Sequence, residues 1–245
     1  MFSNDFIEKI KSAQKIVVLT GAGISAESGV PTFRGEDGLW KKFRPEELAS
    51  FDAFVQNPEL VWEWYAYRRK LISEVRPNPG HFALARIEKR VPSFWLITQN
   101  VDGLHHQAGS QHVLELHGNI MRSRCVACGK KSELVELHEK GELPHCLCGG
   151  IIRPDVVWFG EMLPADVLNR AFQVAEECDL FLSIGTSALV HPAASLPITA
   201  MNQRAFVAEI NTEPTAISGS INESILGKSG EVLPQLLKDV WNIEI

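Results

Sequence analysis

Short apolar runs alternate with longer amphipathic stretches along most of the chain. Five runs have the length and composition of buried strands: residues 15–20, 93–98, 113–116, 179–185 and 205–211. Apolar positions recur at helical spacing at the start of the chain, with Phe6, Ile7 and Ile10 on one side, and in residues 58–74, 79–90, 164–177, 191–202 and 231–241. Such strands separated by helices predict an α/β fold in which helices cover both faces of a parallel sheet. Such sheets bind ligands beyond the carboxyl ends of their strands, so chemistry is expected there.

The first predicted strand runs into a glycine-rich turn. Gly21, Gly23 and Ala26 fit the strand–turn–helix fingerprint of dinucleotide sites, because small residues let the backbone approach a pyrophosphate. N–H groups at the start of a helix then stabilise its charge. The acid expected about 20 residues further on, at the end of a second strand, is missing, and Glu36 and Asp37 lie in a glycine-flanked loop instead. The turn predicts a dinucleotide held in an unusual manner; a glycine-rich turn without a ligand is the alternative.

Two segments interrupt the alternation and look like insertions. One is helical and rich in aromatic residues, and the other contains four of the five cysteines with little periodicity. We therefore predict a Rossmann-like domain with a smaller inserted lobe. The domain comprises residues 1–34, 81–120 and 154–245, and the lobe comprises a helical module of residues 35–80 and a metal-binding module of residues 121–153.

The cysteine spacing predicts a metal site. Cys125 and Cys128 form a C-x₂-C pair, and Cys146 and Cys148 form a C-x-C pair after a gap of 17 residues. Four thiolates favour tetrahedral zinc, with unpaired structural thiols as the alternative. His145, beside the second pair, is a possible substitute ligand. A closed four-thiolate site has no open position for substrate, so the metal is expected to hold a small lobe together.

Composition narrows the classes of partner. The 24 basic and 30 acidic side chains give a formal charge of −6 without a block of Lys and Arg, which argues against nucleic-acid binding. No apolar run approaches the roughly 18 residues that span a bilayer, and no secretory leader is recognised, so no membrane association is expected. Clustered cysteines in such a chain favour metal over disulfides, and the cytoplasm is the expected location.

Taken together, the motifs resemble those of sirtuins, the NAD-dependent protein lysine deacylases. They follow the family's order and spacing from about residue 12 to residue 240: TGAGIS…GVPTFRG (20–35), TQNVDGLHHQAG (98–109), ELHG (115–118), the cysteine window, VVWFGE (156–161) and GTS (185–187). The resemblance implies that NAD is a co-substrate and that one structural zinc is bound per chain. It also implies that acylated-lysine proteins or peptides bind as an extended strand, and we expect the chain to be a monomer.

The resemblance assigns NAD-binding roles to the glycine turn and to residues at strand ends. Phe33 resembles the family's aromatic lid over the nicotinamide, and Arg34 is expected to stabilise phosphate or ribose oxygens, although from the residues alone they could be a core aromatic and a surface charge. The implied NAD-binding set is Gly21, Ala22, Gly23, Ser25, Ala26, Glu27, Thr32, Phe33, Arg34, Trp40, Gln99, Asn100, Val101, Asp102, Gly185, Thr186, Ser187, Asn211, Thr212, Glu213 and Ser229.

His117 follows the predicted strand 113–116. Histidine suits proton transfer near neutral pH, but a single histidine after a strand is more often structural. The resemblance implies that His117 is the general base for the nicotinamide ribose hydroxyls and that Asn100 is the second catalytic residue. His81, His105 and His106 are interpreted as structural.

The reaction implied by the resemblance starts with attack of the acyl oxygen on the NAD carbon that bears nicotinamide. It ends in free lysine, nicotinamide and O-acyl-ADP-ribose. Two alternatives are mono-ADP-ribosyl transfer and an NAD-sensing zinc module without catalysis.

Tyr65 and Arg68 share one face of the predicted helix 58–74, where Arg68 would be the one charge in an apolar stripe. A partly buried guanidinium needs an acceptor, which a substrate carboxylate would supply. The alternatives are an Arg68 folded onto Glu63 or Glu74 at the surface and a neighbouring Arg69 that faces water.

The segment WYAYRR (64–69) also resembles the Tyr-x-x-Arg motif of the sirtuin class (class III) that removes acidic acyl groups such as succinyl and malonyl. VVWFGE is expected to offer an exposed edge to an extended peptide. The implied substrate-binding set is Ala49, which widens the acyl pocket, Tyr65, Arg68, Val157, Trp158, Phe159, Gly160, Glu161 and Val190.

Overall fold

A computed structural model describes residues 1–32, 45–132 and 143–245. The strands within these ranges, in chain order, are β1 (Lys15–Thr20), β2 (Ser93–Thr98), β3 (Val113–Glu115), β4 (Gly118–Cys125), β5 (Lys131–Ser132), β6 (Ile152–Val156), β7 (Leu180–Ile184), β8 (Phe206–Asn211) and β9 (Glu223–Leu226). Six of them form a parallel sheet in the order β3-β2-β1-β7-β8-β9, and the other three form an antiparallel sheet in the order β5-β4-β6. The α/β class with a parallel, Rossmann-like sheet is therefore confirmed.

Helices connect the strands and cover both faces of the six-stranded sheet. The α-helices in the described ranges are Asn4–Ser12, Ala22–Ala26, Pro45–Leu48, Phe51–Gln56, Pro58–Glu74, Pro79–Glu88, Leu104–Gln107, Ala165–Glu177, Leu196–Asn202 and Ser229–Trp241, with a 3₁₀ turn at Ala193–Ser195. The predicted helix 58–74 has these bounds, whereas 79–90 ends two residues earlier and 191–202 divides into the 3₁₀ turn and a short helix.

The side-chain alternation of the central strands builds two apolar cores. In β1, Ile16 and Val18 pack in a cluster with the N-terminal and C-terminal helices, and Val17 and Leu19 pack against the other face. Because successive side chains of a strand point to opposite faces, a strand buried on both sides reads as one apolar run. This explains why KIVVLT was recognisable as a strand.

A third apolar cluster joins the helical module to the antiparallel sheet. Trp62, Trp64 and Tyr65 of helix Pro58–Glu74 pack with Ile120 of β4 and with Trp158. Trp62 also donates its indole N–H to the carbonyl of Ile152 at 2.9 Å. The two inserted segments therefore share one core beside the carboxyl edge of the main sheet.

Arg69 does not face water, which was one alternative from the sequence. Its side chain is buried; Nε donates to the carbonyl of Ile120 at 2.7 Å, and Nη2 donates to the carbonyl of Arg122 and to Ser123 Oγ. A buried guanidinium is tolerated where acceptors satisfy its N–H groups. Arg69 fastens helix Pro58–Glu74 to β4.

Four strands were not predicted, and their composition explains why. β4 mixes polar and apolar residues, β6 contains Pro154, and β5 and β9 are short. A proline lacks the N–H of a ladder bond, so it argues against a strand unless it lies at an irregularity. Here Pro154 lies opposite Ser123, beside a register shift in the β4–β6 pairing.

The division of the chain into a sheet domain and two modules stays a prediction. β4 and β6 each cross one of its borders, at 120/121 and at 153/154.

In the residues that the structure describes, no helix combines the length and the apolar character that crossing a bilayer would require.

Candidate active site

A cavity of about 1060 Å³ opens at the carboxyl edge of the six-stranded sheet. The glycine turn after β1, the ends of β2, β7 and β8, and His117 form one side of it, and the helical module and the segment after β6 form the other. A volume of this size is at the upper end of the roughly 300–1,000 Å³ range of small-molecule sites, so it is large enough for a ligand of dinucleotide size.

The glycine turn lies directly on the neighbouring strand end. Gly21 donates its N–H to the carbonyl of Ile184 at 3.1 Å, and Gly23 donates to the carbonyl of Gly185 at 2.8 Å. The predicted residues Ala22 and Thr32 line the same wall of the cavity. Since the N–H of Gly23 is already used by a protein carbonyl, it does not bind the pyrophosphate in this conformation.

Ser25, Asn100 and Asp102 form a buried hydrogen-bonded group behind the turn. Ser25 Oγ donates to Asp102 Oδ2 at 2.7 Å, and Asn100 Nδ2 donates to Ser25 Oγ and to the carbonyl of Gly21. Burial raises the pKa of the Asp102 carboxyl group, which accepts the N–H of Leu104. Because both hydrogens of the Asn100 amide are engaged, its Oδ1 is the atom left to meet a ligand.

The ends of β2, β7 and β8 are tied together by side-chain amides. Gln99 Nε2 donates to Thr186 Oγ1 at 2.9 Å, and Asn211 Nδ2 donates to the carbonyl of Thr186 at 3.1 Å. The remaining predicted residues along this wall, namely Val101, Gly185, Ser187, Thr212 and Glu213, also line the cavity.

His117 is held in one orientation at the centre of the cavity wall. Its Nδ1 lies 2.8 Å from the carbonyl oxygen of Gln99, and a carbonyl only accepts, so Nδ1 carries the proton. Nε2, on the opposite side of the ring, then has a free lone pair. Burial lowers the pKa of His117 below its usual value, so the ring is neutral at neutral pH. His117 can therefore accept a proton through Nε2.

The histidines that were interpreted as structural, His81, His105 and His106, all contact groups of the protein itself. His81 caps its own helix through the N–H of Asn78, and burial lowers its pKa to about 4. His105 Nε2 lies 2.9 Å from Thr20 Oγ1 in the interior, and the exposed His106 lies 3.7 Å from Glu115.

Several predicted NAD-binding residues stand outside the cavity lining. The exposed Glu27 accepts the N–H of Gly230 at 2.8 Å and the hydroxyl of Ser229, so it anchors helix Ser229–Trp241 to the end of the glycine-loop helix. Ala26 lies beside it and is exposed. The predictions for Phe33, Arg34 and Trp40, and the loop with Glu36 and Asp37, fall outside the described residues.

The far end of the cavity is aromatic with one buried cation. Ala49, Trp64, Tyr65 and Arg68 line it, and Arg68 is 8% exposed with its guanidinium carbon 4.9 Å from the centre of the Trp64 ring. Arg68 is thus buried in the cavity wall and does not lie at the surface with Glu63 or Glu74, as one alternative had it.

The segment VVWFGE was expected to offer an exposed edge, but several of its backbone N–H groups already donate hydrogen bonds within the protein. Val157 donates its N–H to the carbonyl of His117, and Phe159 donates to the carbonyl of Ala49, both at 2.9 Å. Trp158 donates its N–H to the side chain of Glu161. These three amides, and the carbonyls of Val156 and Trp158, are therefore engaged within the protein. Gly160 and Val190 line the mouth.

Sequence reasoning did not find Arg153 and Arg124, which both reach Glu161. Arg153 makes two hydrogen bonds to the Glu161 carboxylate, and Arg124 Nη2 lies 3.1 Å from it. The carboxylate of Glu161 is thus engaged within the protein. The sequence did contain one signal for Arg153: it is a charged residue inside the largely apolar run IIRPDVV.

The four cysteines of the metal-binding module converge. All their sulfurs lie within 4.8 Å of one another, and the pairs Cys125–Cys148 and Cys128–Cys146 are 3.5 and 3.8 Å apart. Four sulfurs around a zinc ion at about 2.3 Å are roughly 3.8 Å apart, so the cluster fits one structural zinc. His145 instead places Nδ1 2.9 Å from the carbonyl of Leu143, and it is absent from the cluster formed by the described residues.

Comparison with known proteins gives consistent matches. The model of the Sir2 family matches residues 21–192. A protein of Aquifex aeolicus named NAD-dependent protein deacylase is 55% identical over 208 residues, which are 83% of this chain and 85% of that protein. A solved Sir2 homologue–NAD complex is 45% identical with a TM-score of 0.93, covering 99% of this chain and 95% of that one. A solved Sir2–p53 peptide–NAD⁺ complex is 31% identical with a TM-score of 0.86, covering 98% of each.

We predict that replacing one cluster cysteine removes the zinc and loosens the module. Cys125→Ser should bind less than one zinc per chain and melt about 10 °C lower, since about 3 kcal/mol of metal-linked stability corresponds to that shift in a chain of this size. Elemental analysis and thermal unfolding measure both quantities.

Cys178→Ser is the matched control for this substitution. Cys178 is buried in the second core, where burial raises the pKa of its thiol to about 12, and it lies outside the cluster. This variant should retain one zinc per chain. Full zinc content in Cys125→Ser would contradict the assignment.

Proposed function

Because the chain belongs to the Sir2 family, we propose that it is an NAD-dependent protein lysine deacylase that removes acetyl and acidic acyl groups from lysine side chains. The observation that supports this most is that one cavity is lined by His117 together with Gly21 of the glycine turn and with Tyr65 and Arg68 of the helical module. The proposal includes action as a monomer, without nucleic acid.

In this proposal NAD occupies the end of the cavity formed by the parallel sheet. The adenosine half lies along Thr186, Ser187 and Asn211, and the nicotinamide ribose lies beside Asn100 and His117. NAD supplies the ribose hydroxyl that takes up the acyl group. As the resemblance to the family implies, Phe33 is proposed to cover the nicotinamide, Arg34 to stabilise phosphate or ribose oxygens, and Trp40 to belong to the NAD-binding set.

The acyl-lysine enters from the opposite mouth as part of an extended peptide. Val157 and Val190 both line the cavity, and in this proposal the peptide backbone lies between the segment after β6 and the segment that begins at Val190. Such pairing reads the backbone, so preference for neighbouring side chains is weak. The aromatic walls exclude water from the reacting atoms, which strengthens electrostatic interactions there.

His117 takes a proton from a ribose hydroxyl. Its Nδ1–H bond to Gln99 fixes the tautomer, and the lowered pKa keeps Nε2 unprotonated at neutral pH. Asn100 presents Oδ1 to the ribose or to an ordered water. One water is consumed to complete release, and the products are free lysine, nicotinamide and O-acyl-ADP-ribose.

Arg68 and Tyr65 receive the distal carboxylate of a succinyl or malonyl group. Arg68 supplies charge-assisted hydrogen bonds from a buried position, where they are stronger than in water. Burial raises the pKa of Tyr65, so its hydroxyl stays protonated and can donate to a carboxylate. A neutral acetyl group needs neither donor.

His117→Ala tests the proposed chemistry. We expect NAD-dependent deacylation of an acetyl-lysine peptide to fall about 100-fold or more, because the general base is removed. Mass spectrometry of the wild-type reaction should show nicotinamide, the free-lysine peptide and O-acyl-ADP-ribose in equal amounts.

His112→Ala is the control, since the exposed His112 pairs with Glu88 outside the cavity lining.

In the wild type, kcat/KM should fall as the pH drops through a pKa below about 6.5, because His117 must be neutral to accept the proton. ADP-ribose transferred to the peptide, or undiminished turnover by His117→Ala, would contradict the proposal.

Arg68→Met tests the acidic-acyl specificity. The kcat/KM for a succinyl-lysine peptide should fall at least about 10-fold more than that for the same peptide with acetyl-lysine, because only the succinyl group loses a charge-assisted bond. Lys70→Met, on the exposed face of the same helix, should leave the ratio unchanged. Equal losses on both peptides would exclude the acidic-acyl site and leave the NAD chemistry intact.

A further inference from the structure

The buried Arg153 and the partly buried Glu161 form a clamp around the segment after β6. Arg153 is 2% exposed, and its Nη1 and Nη2 lie 2.5 and 2.8 Å from the two oxygens of Glu161. Nη2 also donates to the carbonyl of Val156. Glu161 in turn accepts the N–H of Trp158, and its own N–H donates to the Trp158 carbonyl. The clamp closes residues 158–161 into a tight turn.

The same arginine fixes the indole ring of Trp158. The guanidinium carbon of Arg153 lies 3.3 Å from the centre of the ring, and Phe54 packs at a centroid distance of 5.2 Å. A guanidinium over a desolvated indole attracts the face of the ring, so this contact favours one position of the indole. Trp158 is 2% exposed.

That position directs the indole N–H at Tyr65. Trp158 Nε1 donates to Tyr65 Oη at 2.8 Å, and both residues line the cavity. A tyrosine oxygen that accepts an N–H keeps one hydrogen of its own to donate. The bond therefore makes the Tyr65 hydroxyl a donor and restricts the directions in which it can donate.

We propose that Trp158, held by Arg153 and Glu161, is a positioning residue that sets acyl specificity by orienting the Tyr65 hydroxyl toward the distal carboxylate of an acidic acyl group. This inference deepens the proposed function and depends on it. In this arrangement Arg68 provides charge, and Trp158 provides the direction of the second donor. Acetyl groups do not reach Tyr65 with a hydrogen-bonding atom, so they are insensitive to that direction.

The chain contains a matched control for Trp158. Like Trp158, Trp62 is buried and donates its indole N–H. An arginine also lies over its ring, since the guanidinium carbon of Arg69 is 5.0 Å from the ring centre. The acceptor of the Trp62 N–H is the backbone carbonyl of Ile152, and Trp62 does not line the cavity. A purely structural loss of an indole N–H should therefore have the same effect at both positions.

The test is a double-mutant cycle on the full-length, zinc-loaded protein. The kcat/KM values for one peptide with acetyl-lysine or succinyl-lysine are measured for wild type, Trp158→Phe, Tyr65→Phe, the double variant and Trp62→Phe. Trp158→Phe should reduce the succinyl-to-acetyl ratio about 10-fold, the size of one hydrogen bond to a charged group. In the Tyr65→Phe background the same change should alter the ratio less than about 2-fold, because the effect passes through the tyrosine hydroxyl.

The outcomes separate this inference from the proposed function. Additive effects of Trp158→Phe and Tyr65→Phe on the ratio, or an equal shift in Trp62→Phe, would overturn the inference while deacylation stands. A wild type that removes acetyl but not succinyl overturns both the acidic-acyl proposal and the inference. A wild type without NAD-dependent turnover of either peptide overturns the proposed function itself. Far-ultraviolet circular dichroism confirms that each variant is folded.

Discussion

The site depends on the close approach of two backbone turns at the carboxyl edge of the sheet. A Cβ atom on Gly23 would lie 2.7 Å from the Cα of Gly185, a distance that real Cβ atoms do not show. Because Gly23 has no side chain, the turn after β1 lies directly on the end of β7. Asn100 then reaches the carbonyl of Gly21 from the end of β2. Strand ends that are distant in sequence are in this way fixed around one cavity.

The second half of the cavity comes from segments outside the main sheet, and it is attached by polar contacts as well as by packing. Arg69 holds helix Pro58–Glu74 to β4, and the Trp158–Tyr65 bond joins that helix to the segment after β6. Since the N–H of Val157 donates to the carbonyl of His117, this segment also contacts the residue that directly precedes β4. The proposed acyl pocket and the proposed base are therefore parts of one connected structure.

The sequence predicted what depends on local pattern and missed what depends on distant partners. KIVVLT and SFWLIT are buried on both faces, so their apolar runs identified them as strands. β4 and β6 are stabilised by pairing with each other. The mixed sequence GNIMRSRC of β4 does not indicate a strand, and neither does a β6 sequence that contains a proline. His117 was found through the resemblance to sirtuins, whereas its Nδ1 bond to Gln99 required the fold. The ligand-binding roles of Glu27 and Glu161 stay predictions, and only the fold shows that their carboxylates accept hydrogen bonds from Gly230 and Arg153.

The central claim is that NAD and a lysine side chain approach His117 from opposite ends of one cavity. A crystal structure with NAD and a peptide whose lysine carries no acyl group, so that no reaction occurs, tests it most directly. We expect His117 Nε2 within about 3 Å of a hydroxyl of the nicotinamide ribose, the adenosine beside Thr186, and the lysine between Val157 and Val190. A dinucleotide bound elsewhere, or a ribose out of reach of Nε2, would contradict the account.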